Sequence, residues 1–279
     1  MAIVRTRRQR LGQHFLHDHR TAAAIVAALA PDPPRVLEIG PGRGALTRLL
    51  VERFERVRAV EVDVALAAML PKRLGSPPNL EVNQGDALAA DLEGLAGGGP
   101  WQVAANLPYS IGTPILRRLL PRHDLFTRFV VMVQLEVANR LVAPPGGASR
   151  GLLTLETDAH ADAALLFTVP GRCFAPPPRV TSAVVRLVLR PPPAPEAALA
   201  RALELASGAF SHRRKQLANA LAGTLGAGAV AAALAEAGIA PGARPQELSL
   251  GEWLALARVW PDPAARGGVV ERAGARAGA

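Results

Sequence analysis

The sequence predicts a doubly wound α/β domain followed by a small all-helical domain. Between Arg35 and Gln134, short runs rich in β-branched residues alternate with helix-like stretches, the pattern of βαβ units and a parallel sheet. Between residues 196 and 260, Ala-rich helical stretches are broken by Gly and Pro and show no strand-like alternation. With 279 residues, of which 49% are hydrophobic, the chain is long enough for one large domain and one small domain.

The pattern in the α/β part predicts five strands, three helices and one further apolar run. The strands are predicted at residues 35–39, 57–61, 80–83, 102–105 and 128–133, and the helices at 44–54, 64–74 and 113–120. The apolar run at 182–189 is followed by a proline cluster at 191–195, which is the predicted linker. Because open α/β sheets bind ligands at the carboxyl ends of their strands, we expect the functional residues there.

Four segments follow from this reading. We expect a basic N-terminal arm at 1–17, the α/β domain at 18–190, the helical domain at 196–260 and a tail at 261–279. The tail lacks a pattern that would form a core, so we expect it to be disordered.

Composition narrows the class of partner. A formal net charge of +9 favours a polyanionic partner. No stretch is apolar enough to span a membrane, and the basic N-terminus lacks the apolar segment of a secretory signal. The single cysteine, Cys173, excludes an intramolecular disulfide, a multi-cysteine zinc site and an iron–sulfur cluster. We therefore expect a cytoplasmic protein with no metal and no membrane contact. We also expect a monomer, although composition does not bear on the oligomeric state.

A glycine-rich segment at residues 38–45, Glu-Ile-Gly-Pro-Gly-Arg-Gly-Ala, lies where the first predicted strand turns into a helix. Gly40 and Gly42 let the backbone approach a nucleotide or amino-acid cofactor closely. Glu61 ends the next strand and is placed to accept hydrogen bonds from ribose hydroxyls. This motif alone fits both NAD and S-adenosylmethionine, and the alternative is a tight turn beside a solvated acid.

An acidic residue follows the third predicted strand. Asp86, with Ala87 after it, could accept a hydrogen bond from the exocyclic amine of adenine. An acid at this strand favours S-adenosylmethionine over NAD. Its alternative role is to cap a helix or a loop.

The residues Asn106, Leu107, Pro108 and Tyr109 follow the fourth predicted strand. An aromatic amine is a poor nucleophile because its lone pair is delocalised into the ring. The Asn106 side-chain oxygen and the Leu107 carbonyl could accept its N–H groups and turn the lone pair toward an electrophile, while Pro108 fixes the loop and Tyr109 stacks on the base. Such a site needs a flipped or single-stranded base. The alternative is an ordinary proline turn.

Together these motifs resemble the bacterial ribosomal RNA adenine dimethyltransferases of the KsgA (RsmA) family. The resemblance runs from Leu11 to about Trp260 and includes segments 12–16, 134–142, 174–187 and 210–221. It implies a Rossmann-like class I methyltransferase domain that uses S-adenosyl-L-methionine and yields S-adenosyl-L-homocysteine. It also implies dimethylation of two adjacent adenines near the 3′ end of 16S rRNA in the 30S subunit, late in assembly.

The resemblance also implies roles for single residues, although the family commonly has Asn where this chain has His14. Phe174 should stack on the flipped adenine opposite Tyr109, and the alternative for Phe174 is a core side chain. The cofactor-lining positions are His14, Leu16, Gly40, Gly42, Glu61, Asp86, Ala87 and Asn106. The catalytic positions are Asn106, Leu107, Pro108, Tyr109 and Phe174.

Three basic groups are candidates for contacts with RNA phosphates. An N-terminal cluster precedes the cofactor-lining segment, Arg179 lies in a stretch without acids, and a third cluster is predicted to open a helix of the small domain. A solvated tail or an exposed helical face is the alternative. These residues are Arg5, Arg7, Arg8, Arg10, Arg179, Arg213, Arg214 and Lys215.

Two other functions remain open. A factor for ribosome assembly or transcription could keep this fold without needing methyl transfer. A 23S rRNA adenine methyltransferase would share the motif at Asn106, although Leu107 and the segment 174–187 favour the 16S enzyme. A DNA adenine methylase more often has Pro at the position of Leu107.

Overall fold

The computed structural model describes residues 14–261, which divide after Pro193 into two compact units. The division falls in the proline cluster of the predicted linker. The strands of the first unit are β1 (Phe15–Leu16), β2 (Arg35–Ile39), β3 (Arg56–Glu61), β4 (Leu80–Gln84), β5 (Trp101–Asn106), β6 (Phe126–Gln134), β7 (Ala161–Val169), β8 (Phe174–Ala175) and β9 (Ser182–Leu189). Its helices are α1 (His19–Ala27), α2 (Thr47–Arg53), α3 (Val64–Arg73), α4 (Leu92–Ala96), α5 (Gly112–Leu119), α6 (Leu135–Leu141) and α7 (Leu152–His160).

The main sheet has the strand order β4-β3-β2-β5-β6-β9-β7. The five strands from β4 to β6 are parallel, as the βαβ pattern predicted. The last two strands are not, because β9 runs antiparallel to β6 and β7 runs antiparallel to β9. The sheet is therefore mixed, and its parallel part carries the loops that follow each predicted strand.

Both faces of this sheet are buried, which explains why its central strands are continuous apolar runs. Neighbouring residues of one strand belong to different core clusters. On β2, Val36 packs with α1 and α2, whereas Leu37 packs with α5 on the other face. On β6, Val130 and Phe129 divide in the same way.

A short antiparallel ribbon lies apart from the main sheet. In it, β1 pairs with β8, with Phe15 opposite Ala175 and Leu16 opposite Phe174. The ribbon brings the start of the described chain to the segment that precedes β9. Helix α1 then begins at an Asp18 cap, whose carboxylate accepts the Thr21 N–H at 2.8 Å.

The second unit, described here for residues 194–261, consists of helices. They are α8 (Glu196–Phe210), α9 (Leu217–Leu225), α10 (Ala227–Glu236) and α11 (Leu250–Val259). The buried Trp253 of α11 packs against Phe210, with ring centroids 6.2 Å apart. The cluster from His212 to Lys215 was predicted to open a helix and instead forms the turn between α8 and α9. Gln216 and not this cluster precedes the first residue of α9.

Two kinds of feature are absent from residues 14–261. No helix in this range is both long enough and apolar enough to cross a membrane. The same residues contain no group of three or more His, Cys, Asp or Glu side chains arranged to hold a metal ion.

Candidate active site

A cavity of about 180 Å³ lies at the carboxyl ends of the parallel strands. It is lined by the loops after β2, β3, β4 and β5 and by the segment around β1. The structure therefore brings together residues that are distant in the sequence. The predicted residues that line it are His14, Leu16, Gly40, Gly42, Glu61, Asp86, Ala87, Asn106, Leu107, Pro108 and Tyr109.

The glycine-rich loop turns the chain from β2 toward α2. Gly40 and Gly42 have φ angles of 66° and 56°, in the left-handed region that favours glycine. A Cβ atom on Gly42 would lie 3.1 Å from the ring of Phe15, so the aromatic ring covers the loop closely. The Arg43 guanidinium lies over the Phe15 ring, 4.6 Å from the ring centroid. These contacts of Phe15 hold strand β1 against the glycine-rich loop.

Glu61 connects this loop to the end of β3. Its side chain is 3% exposed. One carboxylate oxygen accepts the Gly42 N–H and the other accepts the Asp63 N–H, both at 3.0 Å. Each carboxylate oxygen can accept more than one hydrogen bond, so Glu61 can hold the loop and still accept ribose hydroxyls.

Asp86 follows β4 and is exposed at the cavity. Its Oδ1 accepts the Leu88 N–H at 2.9 Å, so this oxygen caps the loop, as the alternative interpretation proposed. No hydrogen bond among the described residues uses its second oxygen. Arg118 of α5 donates to the carbonyl oxygens of Ala87 and Ala90 and holds the same loop in place.

Asn106, at the end of β5, is oriented by the residue that precedes β1. Its Nδ2 donates to the carbonyl oxygen of His14 at 3.1 Å. A backbone carbonyl can only accept, so the amide nitrogen must be the atom that faces it. The side-chain oxygen of Asn106 therefore lies on the opposite branch of the amide.

The His14 ring is fixed on a second side. Its Nδ1 lies 2.8 Å from the carbonyl oxygen of Pro176. Because that oxygen can only accept, Nδ1 carries a proton and donates it in this hydrogen bond. The ring centroid lies 5.4 Å from that of Tyr109. The side chain of His14 thus links the turn after β8 to the loop after β5.

The loop after β5 is held by backbone hydrogen bonds. The Leu107 N–H donates to the carbonyl of Met132 at 3.1 Å, and the Pro108 carbonyl accepts from Ile111 and Gly112 at the start of α5. Among the described residues, no hydrogen bond ends at the Leu107 carbonyl. Two acceptors, this carbonyl and the Asn106 side-chain oxygen, are thus available on one loop.

Tyr109 is half-buried beside these acceptors. Its hydroxyl lies 2.6 Å from the hydroxyl of the buried Ser182, at the start of β9. Burial raises the pKa of the Tyr109 phenol above its ordinary value of 10.0, and the Ser182 hydrogen bond opposes this rise in part. The phenol therefore stays neutral, and its hydrogen bond holds the ring.

Phe174 is not brought to the cavity. It is 2% exposed and packs in the core with Leu16, Val169 and Val184. Its absence from the cavity lining matches the core alternative. Its stacking on an adenine stays a prediction.

The predicted RNA-binding residues are distributed over different parts of the chain. Arg179 is exposed on the segment between Pro176 and β9. In the second unit, Arg214 and Lys215 are exposed and Arg213 is partly exposed. The arm residues Arg5, Arg7, Arg8 and Arg10 lie outside the described residues, as does all of the predicted tail (261–279) after Pro261.

Glu38 is an acidic lining residue that had no predicted role. Glu38, at the end of β2, is 1% exposed, and its Oε2 has no hydrogen-bond partner among the described residues. Burial raises its pKa from 4.5 to about 8, and the nearby Glu61 charge adds to this rise. Its position as the first residue of the glycine-rich segment was the available signal, but an acid at this position is equally typical of an ordinary strand end.

Residues 4–261 match the family model for ribosomal RNA adenine dimethylase. The chain belongs to this family. The fold and the enzyme class that the resemblance implied are thereby confirmed.

Two relatives illustrate the match. Ribosomal RNA small subunit methyltransferase A of Synechococcus sp. (strain JA-3-3Ab) is 43% identical over 258 residues, which cover 89% of this chain and 91% of the relative. The protein of the same name from Methylococcus capsulatus (strain ATCC 33009 / NCIMB 11132 / Bath) is 41% identical over 253 residues, covering 90% and 96%.

Two solved structures share the fold of this family member. The 23S rRNA methyltransferase ErmE is 31% identical with a TM-score of 0.68, and the match covers 88% of this chain and 99% of ErmE. A dimethyladenosine transferase from Plasmodium falciparum has a TM-score of 0.73 at 24% identity, covering 87% and 96%, and so supports the fold alone. These similarities agree with a Rossmann-like domain followed by helices.

Proposed function

We propose that the protein transfers methyl groups from S-adenosyl-L-methionine to the N6 amines of two adjacent adenines near the 3′ end of 16S rRNA. The substrate is the RNA in the small ribosomal subunit, late in its assembly. The enzyme acts in the cytoplasm as a monomer and without a metal. Support for this substrate comes from the relatives at 41% to 43% identity, which carry the small-subunit name.

One observation carries the chemistry of this proposal, namely the Asn106 to His14 hydrogen bond. It leaves the Asn106 side-chain oxygen and the Leu107 carbonyl as two acceptors on one loop. An exocyclic adenine amine has two N–H groups, so it matches this pair of acceptors. Accepting both N–H groups turns the nitrogen lone pair toward the methyl donor.

The cavity supplies groups suited to each part of the cofactor. The glycine loop offers backbone at close range, Glu61 offers acceptors for the ribose hydroxyls, and the free oxygen of Asp86 offers an acceptor for the adenine amine. When bound, S-adenosyl-L-methionine supplies a methyl group on a sulfonium. The product of this cofactor is S-adenosyl-L-homocysteine.

Positioning is the main task left to the protein. The bond from methyl carbon to sulfur breaks as the bond from that carbon to N6 forms, and the target nitrogen then loses a proton to solvent. Asn106 and Leu107 orient the amine, Pro108 fixes the loop, and Tyr109 offers a ring face to the base. The Ser182 hydroxyl keeps that ring in place. Phe174 is proposed as a second stacking side chain.

Basic side chains are proposed to grip the RNA backbone. Arg179 lies on the segment that contacts His14, so a phosphate bound there would lie close to the target base. The turn at residues 212–215 offers further positive charge in the second unit, and the basic arm would add contacts near β1.

The test is methyl transfer from labelled S-adenosyl-L-methionine to a panel of acceptors. The panel contains undermethylated small subunits, large subunits, naked 16S and 23S RNA, and duplex DNA. Label confined to the small subunit is expected. Label in the 23S RNA would keep the chemistry and move the substrate, and no transfer to any acceptor would overturn the enzymatic proposal.

A matched pair of variants completes this test. Asn106→Ala is expected to lose methyl transfer, whereas Asn139→Ala, at an exposed site on α6, is expected to keep it. If Asn106→Ala still bound the subunit and supported assembly, a binding role would stand apart from catalysis.

A further inference from the structure

Glu38 is a buried carboxyl group that has no role in the methyl transfer proposed above. It lines the cavity together with Glu61, although the two acids end different strands. Glu61 has both oxygens occupied by backbone N–H groups. Glu38 Oε2, by contrast, is buried and has no hydrogen-bond partner among the described residues. These two carboxyl groups share the cavity with Asp86 and differ from each other: backbone N–H groups stabilise a charge on Glu61, whereas Glu38 Oε2 receives no hydrogen bond from the described residues.

The surroundings of Glu38 offer little to stabilise a negative charge. Thr47 of α2 is fully buried beside it, and the Thr47 hydroxyl also lacks a hydrogen-bond partner among the described residues. This hydroxyl partly lowers the Glu38 pKa, although it lies outside hydrogen-bonding geometry. Burial and the Glu61 charge act in the other direction and are larger in sum, since the pKa rises to about 8. The cofactor-free site therefore favours the neutral acid at pH 7.

The other titratable side chains of the cavity do not change this conclusion. They are His14, Arg43, Glu61, Asp86 and Tyr109. Only Glu61 contributes to the Glu38 pKa, and it disfavours a second negative charge. The Arg43 guanidinium stacks on the Phe15 ring and not on the Glu38 carboxylate. Among the described residues no cation acts on the Glu38 carboxyl group, so we look to a ligand for the charge that would neutralise it.

The proposed cofactor is such a ligand. S-adenosyl-L-methionine carries one more positive charge than S-adenosyl-L-homocysteine, because the sulfonium becomes a neutral thioether on transfer. In a site of low dielectric, a charge of this kind shifts the ionisation of a nearby carboxyl group strongly. Glu38 is buried against the same cavity that the cofactor would fill.

Resting on the proposed function, we propose that Glu38 is a specificity-determining acid that senses the charge of the bound cofactor. It is protonated in the empty cavity, loses its proton when the sulfonium cofactor binds, and regains a proton when the neutral thioether product occupies the site. The cavity thereby binds the methyl donor in preference to the product, and the product leaves a site in which Glu38 is neutral again. Glu61 supplies the ribose contacts in both states.

Calorimetry measures this directly, because a proton released on binding appears as a dependence of the heat on the ionisation enthalpy of the buffer. The full chain is titrated at pH 7 with S-adenosyl-L-methionine, with sinefungin as a stable cationic analogue and with S-adenosyl-L-homocysteine, each in two buffers. A pKa of about 8 predicts release of about 0.9 proton with the cationic ligands. Release with S-adenosyl-L-homocysteine is expected to be clearly smaller.

Two variants separate the role of Glu38 from a structural role. Glu38→Gln keeps the shape of the protonated acid, so it is expected to fold, to bind without this proton release, and to lose about tenfold of the preference for sinefungin over S-adenosyl-L-homocysteine. Thr47→Val removes the neighbouring hydroxyl and keeps the carboxyl group, so it is expected to retain proton release. Equal proton release in the wild type and Glu38→Gln would overturn the proposal.

The same titration distinguishes this inference from the proposed function. If the wild type binds both cofactor forms without proton release, the inference fails and the proposed function stands. If neither cofactor form nor sinefungin binds, both fail.

Discussion

The side chain of Asn106 and the backbone carbonyl of His14 are joined by a hydrogen bond of 3.1 Å. This contact connects the end of β5 to the residue before β1, which lie 92 positions apart in the chain. Because the amide nitrogen of Asn106 faces this carbonyl, the position of the side-chain oxygen is defined. That oxygen is one of the two acceptors in the proposed reaction. The contact depends on the ribbon of β1 and β8, which holds His14 in place.

The first prediction concerns this contact. Asn106→Asp would place a carboxylate oxygen opposite the His14 carbonyl, where two acceptors repel each other. The rate of methyl transfer is expected to fall at least about 100-fold, the scale seen when one preorganised hydrogen-bonding group is removed from an active site. Single-turnover transfer to small subunits measures it. Asn139→Asp on α6 is the control and should keep the wild-type rate, and equal rates for both variants would contradict the assignment.

The second prediction separates the ring of Tyr109 from its hydroxyl. Tyr109→Phe loses the Ser182 hydrogen bond, so the free energy of unfolding should fall by about 1 kcal/mol while stacking is kept. Tyr109→Ala loses stacking worth about 1 to 3 kcal/mol, which lowers kcat/KM by about 5- to 150-fold. Steady-state kinetics and urea unfolding of both variants provide the comparison. A Tyr109→Phe enzyme as slow as Tyr109→Ala would contradict a stacking role.

The neutral phenol has a consequence for the same experiment. Because burial raises the Tyr109 pKa above 10.0, activity should show no decline caused by Tyr109 ionisation below pH 10. Wild type and Tyr109→Phe should therefore have parallel rate profiles between pH 7 and 9.

The third prediction concerns the glycine loop. Gly42→Ala would force a side chain into the left-handed region, which costs about 1 to 2 kcal/mol, and would place its Cβ 3.1 Å from Phe15. Cofactor affinity is expected to fall at least about tenfold because the loop and the ribbon must both move. Gly75→Ala is the control, since Gly75 has a φ of 80° with no atom within 4 Å of the added Cβ and lies outside the cavity. It should lose stability and keep cofactor affinity.

The fourth prediction concerns the pH dependence of stability in the cofactor-free protein. The folded pKa of Glu38 is about 8, above its ordinary value of 4.5. Its contribution to folding is therefore full below pH 4.5 and is lost as the pH rises toward 8. Relative to Glu38→Gln, the wild type should lose about 2 kcal/mol of unfolding free energy between pH 6 and pH 8.

Urea unfolding of the two proteins at both pH values measures this difference. Glu55→Gln, at an exposed site after α2, is the control and should follow the wild type. A wild type that loses no more stability than Glu38→Gln would show that Glu38 is already ionised at pH 6.

The central sheet could be predicted from the sequence because the pattern that indicates each strand lies within a few consecutive residues. Buried parallel strands are continuous apolar runs, and the chemistry of the loops that follow them is read directly from Gly40, Glu61 and Asn106. All three line one cavity because the carboxyl ends of parallel strands meet at one edge of a sheet.

The ribbon could not be predicted in the same way. Each of its strands has two residues, which is too short to show a hydrophobic periodicity. In addition, β1 pairs with β8, which follows all the parallel strands in the sequence, so no local pattern indicates the pairing. The antiparallel strand β7 was missed because most of its residues are only partly buried and do not alternate cleanly. The basic turn after α8 resembled a helix start because the following residues do form α9.

Residue roles that depend on burial were the hardest to predict. The sequence around Phe174 fits a stacking side chain and a core side chain equally well. The packing in the structure shows that it lies in the core. From the sequence, Glu38 is an ordinary acid near the end of a strand. The structure shows that it is buried and that its Oε2 has no hydrogen-bond partner among the described residues.

The central claim is that this cavity directs dimethylation to adjacent adenines of the small-subunit RNA. The most direct measurement is mass spectrometry of nuclease fragments from undermethylated small subunits treated to completion with the enzyme and S-adenosyl-L-methionine. We expect N6,N6-dimethyladenosine at two neighbouring positions of one fragment near the 3′ end of 16S rRNA, and none after treatment with Asn106→Ala. Dimethyladenosine found only in 23S rRNA, or only monomethylated adenine in any RNA, would contradict it.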